Sequence, residues 1–322
     1  MSQDPLTLTL IRAARRRIAD HVHETPVMSS RTLDAECGFT VSFKCENLQK
    51  TGAFKARGAT NAVLELGAAQ AARGVLTHSS GNHAAALARA ASLRGIPAHI
   101  VMPRNSPLAK QEAVRRYGGQ ITLCEPGQAA REAAAAELQR RTGAVMVHPY
   151  DDHRVMAGQG TTALEFLEQV PDLEALVCPI GGGGHLAGIA VAAKALNPRL
   201  LVIGAEPAGA DDAVLSFRAG RVIPCPEPRS IADGLLATVG HLTLPQIMRY
   251  VDDIVTVNDA GIIAAMRRIW SVLKLVVEPS GCVGFAALDK MTSLRAGSRI
   301  GIVLTGGNLD LDRLPWQAAS HA

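Results

Sequence analysis

Residues 175–205 read ALVCPIGGGGHLAGIAVAAKALNPRLLVIGA, and this stretch decides the class of fold. A short apolar run at Ala175–Pro179 leads through four glycines into an alanine-rich run at Gly184–Leu196, and a second apolar run follows at Leu200–Ala205. Short apolar runs are typical of buried strands, whereas the longer alanine-rich run is typical of a helix. The stretch therefore predicts a strand, a helix and a second strand parallel to the first.

The same alternation continues on both sides of this stretch. Further strands are predicted at Gly74–Thr77, Ala98–Met102, Gln120–Cys124, Ala144–Val147 and Arg299–Leu304. Further helices are predicted at Asn82–Arg94, Pro107–Tyr117, Gln128–Arg141 and Ala260–Leu275. Strands that alternate with helices predict an α/β protein with parallel sheets and helices on both faces.

Two polar segments, Leu48–Gly58 and Val147–Gly160, interrupt the alternation. A compact strand–helix–strand unit lies between them. We therefore expect a small domain at residues 71–149, inserted into a large domain formed by residues 1–70 and 150–322.

Composition excludes several classes of protein. Of the 322 residues, 48% are hydrophobic and 19% are charged, and the formal net charge is only +4, which is typical of a packed soluble domain. The thin basic excess and the 3% of aromatic residues argue against a nucleic-acid partner. The six scattered cysteines, the N-terminus without a leader pattern and the absence of a long apolar run predict a reduced, cytoplasmic protein with no membrane span.

The four glycines at Gly181, Gly182, Gly183 and Gly184 favour an anion site over a simple turn. Without side chains, their backbone N–H groups can converge on a phosphate, and the helix that follows adds the positive end of its dipole. A different interpretation stays open, because Gly182, Gly184 and Ala187 fit the relaxed dinucleotide-binding pattern and Glu206 lies where a ribose-binding carboxylate belongs. That interpretation indicates a nicotinamide-dependent dehydrogenase.

Three further segments carry chemistry. The first is Phe54-Lys55, between Gly52 and Gly58, where a lysine that loses its proton could attack an aldehyde; an ordinary surface lysine is the alternative. The second is the turn at residues 78–83, His-Ser-Ser-Gly-Asn-His, which can hold a carboxylate or a phenolate oxygen and also predicts a helix N-cap at Ser79 or Ser80. The third is Thr305-Gly306-Gly307-Asn308 after a buried strand, which fits the edge of a flat heterocycle or a simple capped strand end.

Together these segments resemble the fold-type II pyridoxal-phosphate (PLP) enzymes, which are tryptophan synthase β-like in fold. The likeness is strongest to serine racemases and to the serine, threonine and 3-hydroxyaspartate dehydratases. Four motifs occur in that family's order over nearly the whole chain. They are Ser-Phe-Lys, which is Ala53-Phe54-Lys55 here, then Ser-Ser-Gly-Asn-His, the tetraglycine and Thr-Gly-Gly-Asn. The segments at 57–63 and 305–316 look most like bacterial 3-hydroxyaspartate dehydratases.

The resemblance implies a role for each of these residues. Lys55 would bind PLP covalently, Phe54 would pack on its ring and Asn82 would contact its phenolic oxygen. The four glycines would hold the phosphate, and Thr305 would face the pyridine nitrogen. Ser80 would be the acid or base on the face opposite the lysine, and the substrate carboxylate would be held by Ser79, Ser80, Asn82 and His83.

The resemblance also implies two further sites. Glu206, the Ala210 carbonyl and Asp212 match a divalent-cation site suited to Mg²⁺ or Ca²⁺, although solvated acidic side chains explain the same residues. Arg131 matches a position that would receive a second substrate carboxylate, and a solvated helical arginine is the alternative. Tyr150 replaces the asparagine that serine racemases carry after His-Pro, which puts racemisation in doubt as the main activity.

The implied activity is elimination of water from a small 3-hydroxy amino acid, with 3-hydroxyaspartate preferred, to give a 2-oxo acid and ammonia. A neutral hydroxyl at Thr305 leaves the pyridine nitrogen unprotonated, which favours prompt β-elimination over transamination. Serine or threonine dehydration and serine racemisation stay open, as do the dehydrogenase and a non-catalytic binding protein. The expected partners are an amino acid substrate and a second copy of the chain in a homodimer.

Overall fold

The computed structural model describes residues 6–79, 81–292 and 294–317. The strands are β1 (Val27–Ser29), β2 (Thr40–Lys44), β3 (Val75–His78), β4 (Ala98–Pro103), β5 (Gln120–Cys124), β6 (Val145–Met146), β7 (Ala175–Pro179), β8 (Leu201–Pro207), β9 (Asp253–Val257) and β10 (Arg299–Val303). The helices are α1 (Leu8–Ile18), α2 (Arg31–Cys37), α3 (Lys55–Leu64), α4 (Ala68–Ala71), α5 (Asn82–Arg94), α6 (Leu108–Arg116), α7 (Gln128–Thr142), α8 (His153–Gln169), α9 (Gly184–Leu196), α10 (Asp212–Ala219), α11 (Thr243–Tyr250), α12 (Asp259–Arg268) and α13 (Pro279–Ala286).

The larger sheet has the strand order β1-β2-β10-β7-β8-β9. Its strands are parallel except β1, which pairs antiparallel with β2 at the edge. Alternate residues of β7 enter different cores: Leu176 and Cys178 pack with α1, α8 and α9, whereas Ala175 and Val177 pack with α12 and α13. Both faces are covered, which explains why β7 is apolar at every position.

The smaller sheet has the order β5-β4-β3-β6, and all its strands are parallel. One face packs on α3 and α5 through the alanines of α5, which let the helix approach the sheet closely. The other face packs on α7 through Ala135 and Leu138. The α/β class with two parallel-type sheets is therefore confirmed.

All four strands of the smaller sheet lie between Val75 and Met146, and the strands of the larger sheet lie outside that range. The expected domain boundaries at 70/71 and 149/150 stay a proposal. Within the described residues, no helix is both long and apolar enough to cross a membrane.

Some predicted elements differ from the structure. The predicted helix Ala260–Leu275 is α12 followed by a π-helical turn at Ile269–Leu273, and Lys274 ends it in the left-handed region with φ 59°. The polar segments Leu48–Gly58 and Val147–Gly160 were not predicted as helical, yet α3 begins at Lys55 and α8 at His153. Tertiary packing outweighs the polar composition in both, because the described parts of these helices are largely buried.

Candidate active site

Lys55 is the first residue of α3, and its side chain is only partly exposed. Its Nζ donates a hydrogen bond to the carbonyl of Pro149 over 2.8 Å. Burial lowers the pKa of Lys55 to about 8, and the positive end of the α3 dipole acts in the same direction. A lysine held in this way has a substantial neutral fraction near physiological pH, so it can act as a nucleophile or a base.

The four glycines form a buried loop between the carboxyl end of β7 and the first turn of α9. Among the described residues, the backbone N–H groups of Gly181–Gly184 donate no hydrogen bond. Buried N–H groups without partners are rare in proteins, and several together at a helix N-terminus fit a bound anion. The loop therefore fits the phosphate of PLP.

The glycines of this loop are also sterically required. A Cβ on Gly181 would lie 2.8 Å from Leu235 Cα, and a Cβ on Gly182 would lie 2.5 Å from the ring of Tyr150. Gly183 has φ +88°, which disfavours any side chain, and its Cβ would lie 2.7 Å from Ile247. A side chain at any of these positions would force the loop or its neighbours to move.

Asn82 is the first residue of α5, and its amide is held in one orientation. Its Nδ2 donates to Glu278 Oε1 over 2.8 Å, and its Oδ1 accepts from Asn308 Nδ2 over 2.9 Å. The second Nδ2 hydrogen is free of these bonds and can be donated to a cofactor oxygen. Burial, followed by the charge of Asp233, raises the pKa of Glu278 to about 8, so this carboxyl is largely protonated at neutral pH.

Thr305 is the second residue after β10 and is buried. Its carbonyl accepts the backbone N–H of Phe54 over 3.1 Å, and an isolated bridge joins Ala53 to Gly306. These bonds bring the Thr-Gly-Gly-Asn segment to the residue that precedes Lys55, although the two are about 250 positions apart in the chain.

The structure differs from the sequence prediction at the start of α5. The N-cap is Gly81, not Ser79 or Ser80, and the hydroxyl of Ser79 accepts the N–H of Gly81 over 3.4 Å. A glycine can take the extended backbone needed there, so the serine hydroxyls are not needed for the helix N-cap. Ser80 lies outside the described residues, so its predicted role is not addressed by the structure.

His83 is buried, and burial followed by the charge of Lys55 puts its pKa well below the ordinary value. Its Nε2 lies 3.3 Å from the carbonyl of Val147, whereas its Nδ1 has no partner among the described residues. Because Nε2 can only donate to that carbonyl, the Nδ1 of the neutral ring is an acceptor and can receive a hydrogen bond from a hydroxyl or ammonium group.

In the loop His148–Asp151, only Tyr150 was singled out from the sequence. Pro149 accepts the hydrogen bond of Lys55, the Tyr150 ring covers Gly182, and the Asp151 carboxylate accepts the N–H groups of residues 241–243 at the start of α11. Burial lowers the pKa of His148 to about 4 and raises that of Tyr150 to about 12. The sequence shows that this loop is polar. It does not show the loop's contacts, because they join segments that are far apart in the chain.

Arg131 lies in the first turns of α7. Its Nη2 donates to Gln128 Oε1 over 2.6 Å, and its Nε is buried without a partner among the described residues. The pKa of His78 is lowered mainly by burial and next by the positive charge of Arg131. Arg131 therefore acts electrostatically on the strand end that leads to Ser79.

Glu206 and Asp212 lie close together and are buried. The two oxygens of Glu206 accept the N–H groups of Ala213 and Val214, and Asp212 accepts that of Val239. Burial raises the pKa of Glu206 to about 8 and that of Asp212 to about 6. Two buried carboxylates are compatible with a cation, but among the described residues no group of three or more histidine, cysteine or acidic side chains could hold a metal.

Three comparisons place the chain among known proteins. The family described as pyridoxal-phosphate dependent enzymes matches residues 18–306. A β-hydroxyaspartate dehydratase of Paracoccus denitrificans is 52% identical over 304 residues, which cover 94% of this chain and 96% of that protein. An L-threo-3-hydroxyaspartate ammonia-lyase of a Pseudomonas species is 44% identical, with 93% and 94% covered. The structure of maize serine racemase superposes with a TM-score of 0.93 at 49% identity, with 95% and 94% covered.

Proposed function

Because the chain belongs to the family of pyridoxal-phosphate-dependent enzymes, we propose that it is a lyase that eliminates water from a small 3-hydroxy amino acid. The preferred substrate is 3-hydroxyaspartate, and the products are a 2-oxo acid and ammonia. The relatives named for hydroxyaspartate dehydration support this choice. The observation that carries it is Lys55, a lysine with a lowered pKa whose Nζ donates to Pro149, the neighbour of Tyr150, and the Tyr150 ring lies against the glycine loop. The dehydrogenase interpretation is not retained, since Glu206 uses both oxygens on backbone N–H groups and the family is a different one.

The residues that would hold PLP surround Lys55. Gly181, Gly182, Gly183 and Gly184 would bind the phosphate, Asn82 the phenolic oxygen and Thr305 the pyridine nitrogen, with Phe54 packed on the ring. When bound, PLP supplies an aldehyde for the substrate amine and a conjugated ring that withdraws electrons from Cα.

Lys55 would then remove the proton from the substrate Cα. Its pKa of about 8 lies near the operating pH, which is the range in which a general base works best. The Pro149 carbonyl orients the amine through the 2.8 Å hydrogen bond. The hydroxyl at Cβ leaves as water, and hydrolysis of the resulting enamine releases the 2-oxo acid and ammonia.

The substrate would be held by two groups of residues. Ser79, Ser80, Asn82 and His83 would bind the carboxylate at Cα. Arg131 would bind the second carboxylate of hydroxyaspartate through its unpartnered Nε. Ser80 would carry the proton needed for racemisation, which is the activity named for several relatives.

A divalent cation such as Mg²⁺ or Ca²⁺, a homodimer and a cytoplasmic location complete the proposal. The cation would be held by Glu206, Asp212 and the Ala210 carbonyl. Addition of Mg²⁺ or Ca²⁺ should raise the melting temperature of the protein, and Glu206→Gln should abolish the rise. An unchanged melting temperature with both ions would remove the cation from the proposal.

The activity is tested by assaying 2-oxo acid release from serine, threonine and each isomer of 3-hydroxyaspartate. Oxaloacetate from a hydroxyaspartate isomer is expected to dominate. Pyruvate from serine with no oxaloacetate would make the chain a serine dehydratase instead. The protein should be yellow, and borohydride should fix the cofactor on Lys55. Lys55→Ala should remove both the fixed adduct and the activity.

A further inference from the structure

His185 is a buried aromatic residue for which the proposed reaction has no role. It is the second residue of α9, directly after the glycine loop, and its side chain is 5% exposed. Its ring lies parallel to that of Phe54, with 3.8 Å between centroids and 4° between planes. The two rings are therefore stacked face to face.

Polar contacts on both ring nitrogens hold His185 in this plane. Nε2 lies 3.2 Å from the hydroxyl of Thr162 on α8, and Nδ1 lies 3.7 Å from the thiol of Cys178 on β7. Burial, followed by the charges of Lys55 and Arg57, puts the pKa of His185 well below its ordinary value, so the ring is neutral. A neutral imidazole has one donor and one acceptor nitrogen, which suits two neighbours that can each donate or accept.

Phe54 is held at two points as a result. Its backbone N–H donates to the Thr305 carbonyl, and its ring is stacked on a histidine that cannot rotate without losing both polar contacts. Lys55 follows directly, with Nζ 5.0 Å from the centre of the Phe54 ring. Phe54 is partly exposed whereas His185 is buried, so the accessible part of the stacked pair belongs to Phe54.

We infer that His185 is a positioning residue that sets the plane of the Phe54 ring, and through it the cofactor ring that packs on Phe54 and the amine of Lys55. The inference rests on the proposed function. His185 would therefore act on cofactor binding through Phe54, whose ring is the more exposed of the stacked pair. Simple filling of the core is the competing explanation, and it predicts that any apolar side chain of similar volume serves equally well.

Two substitutions at the same position separate these explanations. His185→Leu keeps volume but removes the flat ring, and His185→Phe keeps a flat ring but removes the polar contacts. Affinity of the apoprotein for PLP is measured by absorbance titration, and the geometry of the bound cofactor by its visible circular dichroism. His185→Leu should weaken binding about threefold to tenfold and reduce the visible ellipticity, because an aromatic pair contributes about that much beyond burial. His185→Phe should keep most of the affinity.

Two controls complete the design. Thr162→Val removes one polar contact and keeps the stack, so it should reduce the ellipticity with little loss of affinity. His99→Leu replaces a partly buried histidine on β4 of the smaller sheet and should change neither quantity. If His185→Leu folds and binds PLP with the ellipticity and affinity of the natural protein, the inference is wrong. If His185→Leu and His185→Phe lose affinity equally, a stacking role is also excluded.

Failure of the proposed function gives a different result. In that case the unaltered protein would show no visible band and no saturable change when PLP is added. A band in the unaltered protein, together with unchanged His185→Leu, contradicts only the role of His185. Should His185→Leu fail to fold, His185→Phe and Thr162→Val still test the inference, because each removes polar contacts of the ring. If both variants keep the full visible ellipticity, the positioning role is contradicted.

Discussion

At the scale of single residues, Lys55 has the clearest pH dependence. Its pKa of about 8 lies below the ordinary lysine value of 10.5 because burial disfavours the charged amine. Only the neutral amine attacks an aldehyde, and its fraction rises about tenfold between pH 7 and pH 9 for this pKa. The rate at which the apoprotein captures PLP, measured by stopped-flow absorbance, should therefore rise through pH 8 and level off above pH 9. Free Nα-acetyl-lysine is the control, and its rate should keep rising; a capture rate that follows it would contradict the lowered pKa.

Glu278 should make the apoprotein less stable as the pH rises. Its folded-state pKa of about 8 lies above the ordinary 4.5, because burial and the charge of Asp233 favour the protonated form. Such a group contributes stability that is fully present below pH 4.5 and is lost as the pH rises through 8. Relative to Glu278→Gln, the natural apoprotein should lose on the order of 4 kcal/mol of unfolding free energy between pH 5 and pH 8.5. Denaturant titrations at both values measure this, and parallel pH profiles for the two proteins would refute it.

A site residue could be predicted from the sequence where it belongs to a local motif. Lys55, Asn82 and Thr305 each lie at the junction of a strand or turn with glycines, so their neighbours in the chain already indicate a site. Glu278 and His185 could not be predicted, because their roles depend on partners far along the chain. Asn82 lies 196 positions from Glu278, and such a contact leaves no spacing pattern in the sequence. The roles of the predicted residues stay predictions until they are tested chemically.

At the scale of elements, the glycine loop should tolerate no side chain at Gly183. An alanine there takes a left-handed backbone, which costs about 1–2 kcal/mol, and its Cβ would lie 2.7 Å from Ile247 and 2.9 Å from Thr243 Oγ1. Gly183→Ala should therefore lower the unfolding free energy by more than that backbone cost alone and weaken PLP binding at least about tenfold.

Gly38→Ala is the matched control for this change. Gly38 ends α2 with φ +75°, and an added Cβ meets no described atom within 4 Å beyond its chain neighbours. This variant should lose only the backbone cost of about 1–2 kcal/mol and keep its affinity for PLP. Thermal unfolding and PLP titration of both variants decide the matter, and equal affinity in the two would show that the loop is not a phosphate site.

Elements were predictable where their apolar pattern is long or regular. The helices Asn82–Arg94 and Gly184–Leu196 and the strands Gln120–Cys124 and Ala175–Pro179 agree with the structure at both ends. The strands β1, β2 and β9 were missed; each is only three to five residues long and includes polar residues, so its apolar run is short. The start of α3 was missed because Arg57 and Asn61, which look solvent-exposed in the sequence, are buried against partners from other segments.

At the scale of the whole molecule, a buried ionic network joins four segments of the chain. Arg57 on α3 binds Glu46 and Glu165 through four bonds of 2.6–2.8 Å, and Lys44 on β2 binds Glu165, Gln169 and the Thr25 carbonyl. The two positive and two negative charges balance. The network anchors α3, the helix that begins with Lys55, to β2 and α8.

Removal of one member of this network should destabilise the whole protein. Arg57→Met leaves two buried carboxylates short of a positive partner, and the expected loss of unfolding free energy is about 3–5 kcal/mol. Arg268→Met is the control, since Arg268 pairs with Glu36 at the surface and should contribute at most about 1 kcal/mol. Urea titrations of both variants measure the difference. A loss for Arg57→Met no larger than that of the control would contradict the structural role of the network.

The order of strands in the larger sheet has a consequence for synthesis of the protein. Strand β10 lies between β2 and β7, so until the ribosome has released Arg299–Val303 the sheet exists as two separate halves. Each half then has an unpaired edge with free backbone donors and acceptors, which is a template for pairing with another nascent chain. The strands of the smaller sheet have all emerged by Met146 and can pair much earlier. During translation, the strands of the larger sheet therefore stay prone to aggregation until β10 pairs with β2 and β7.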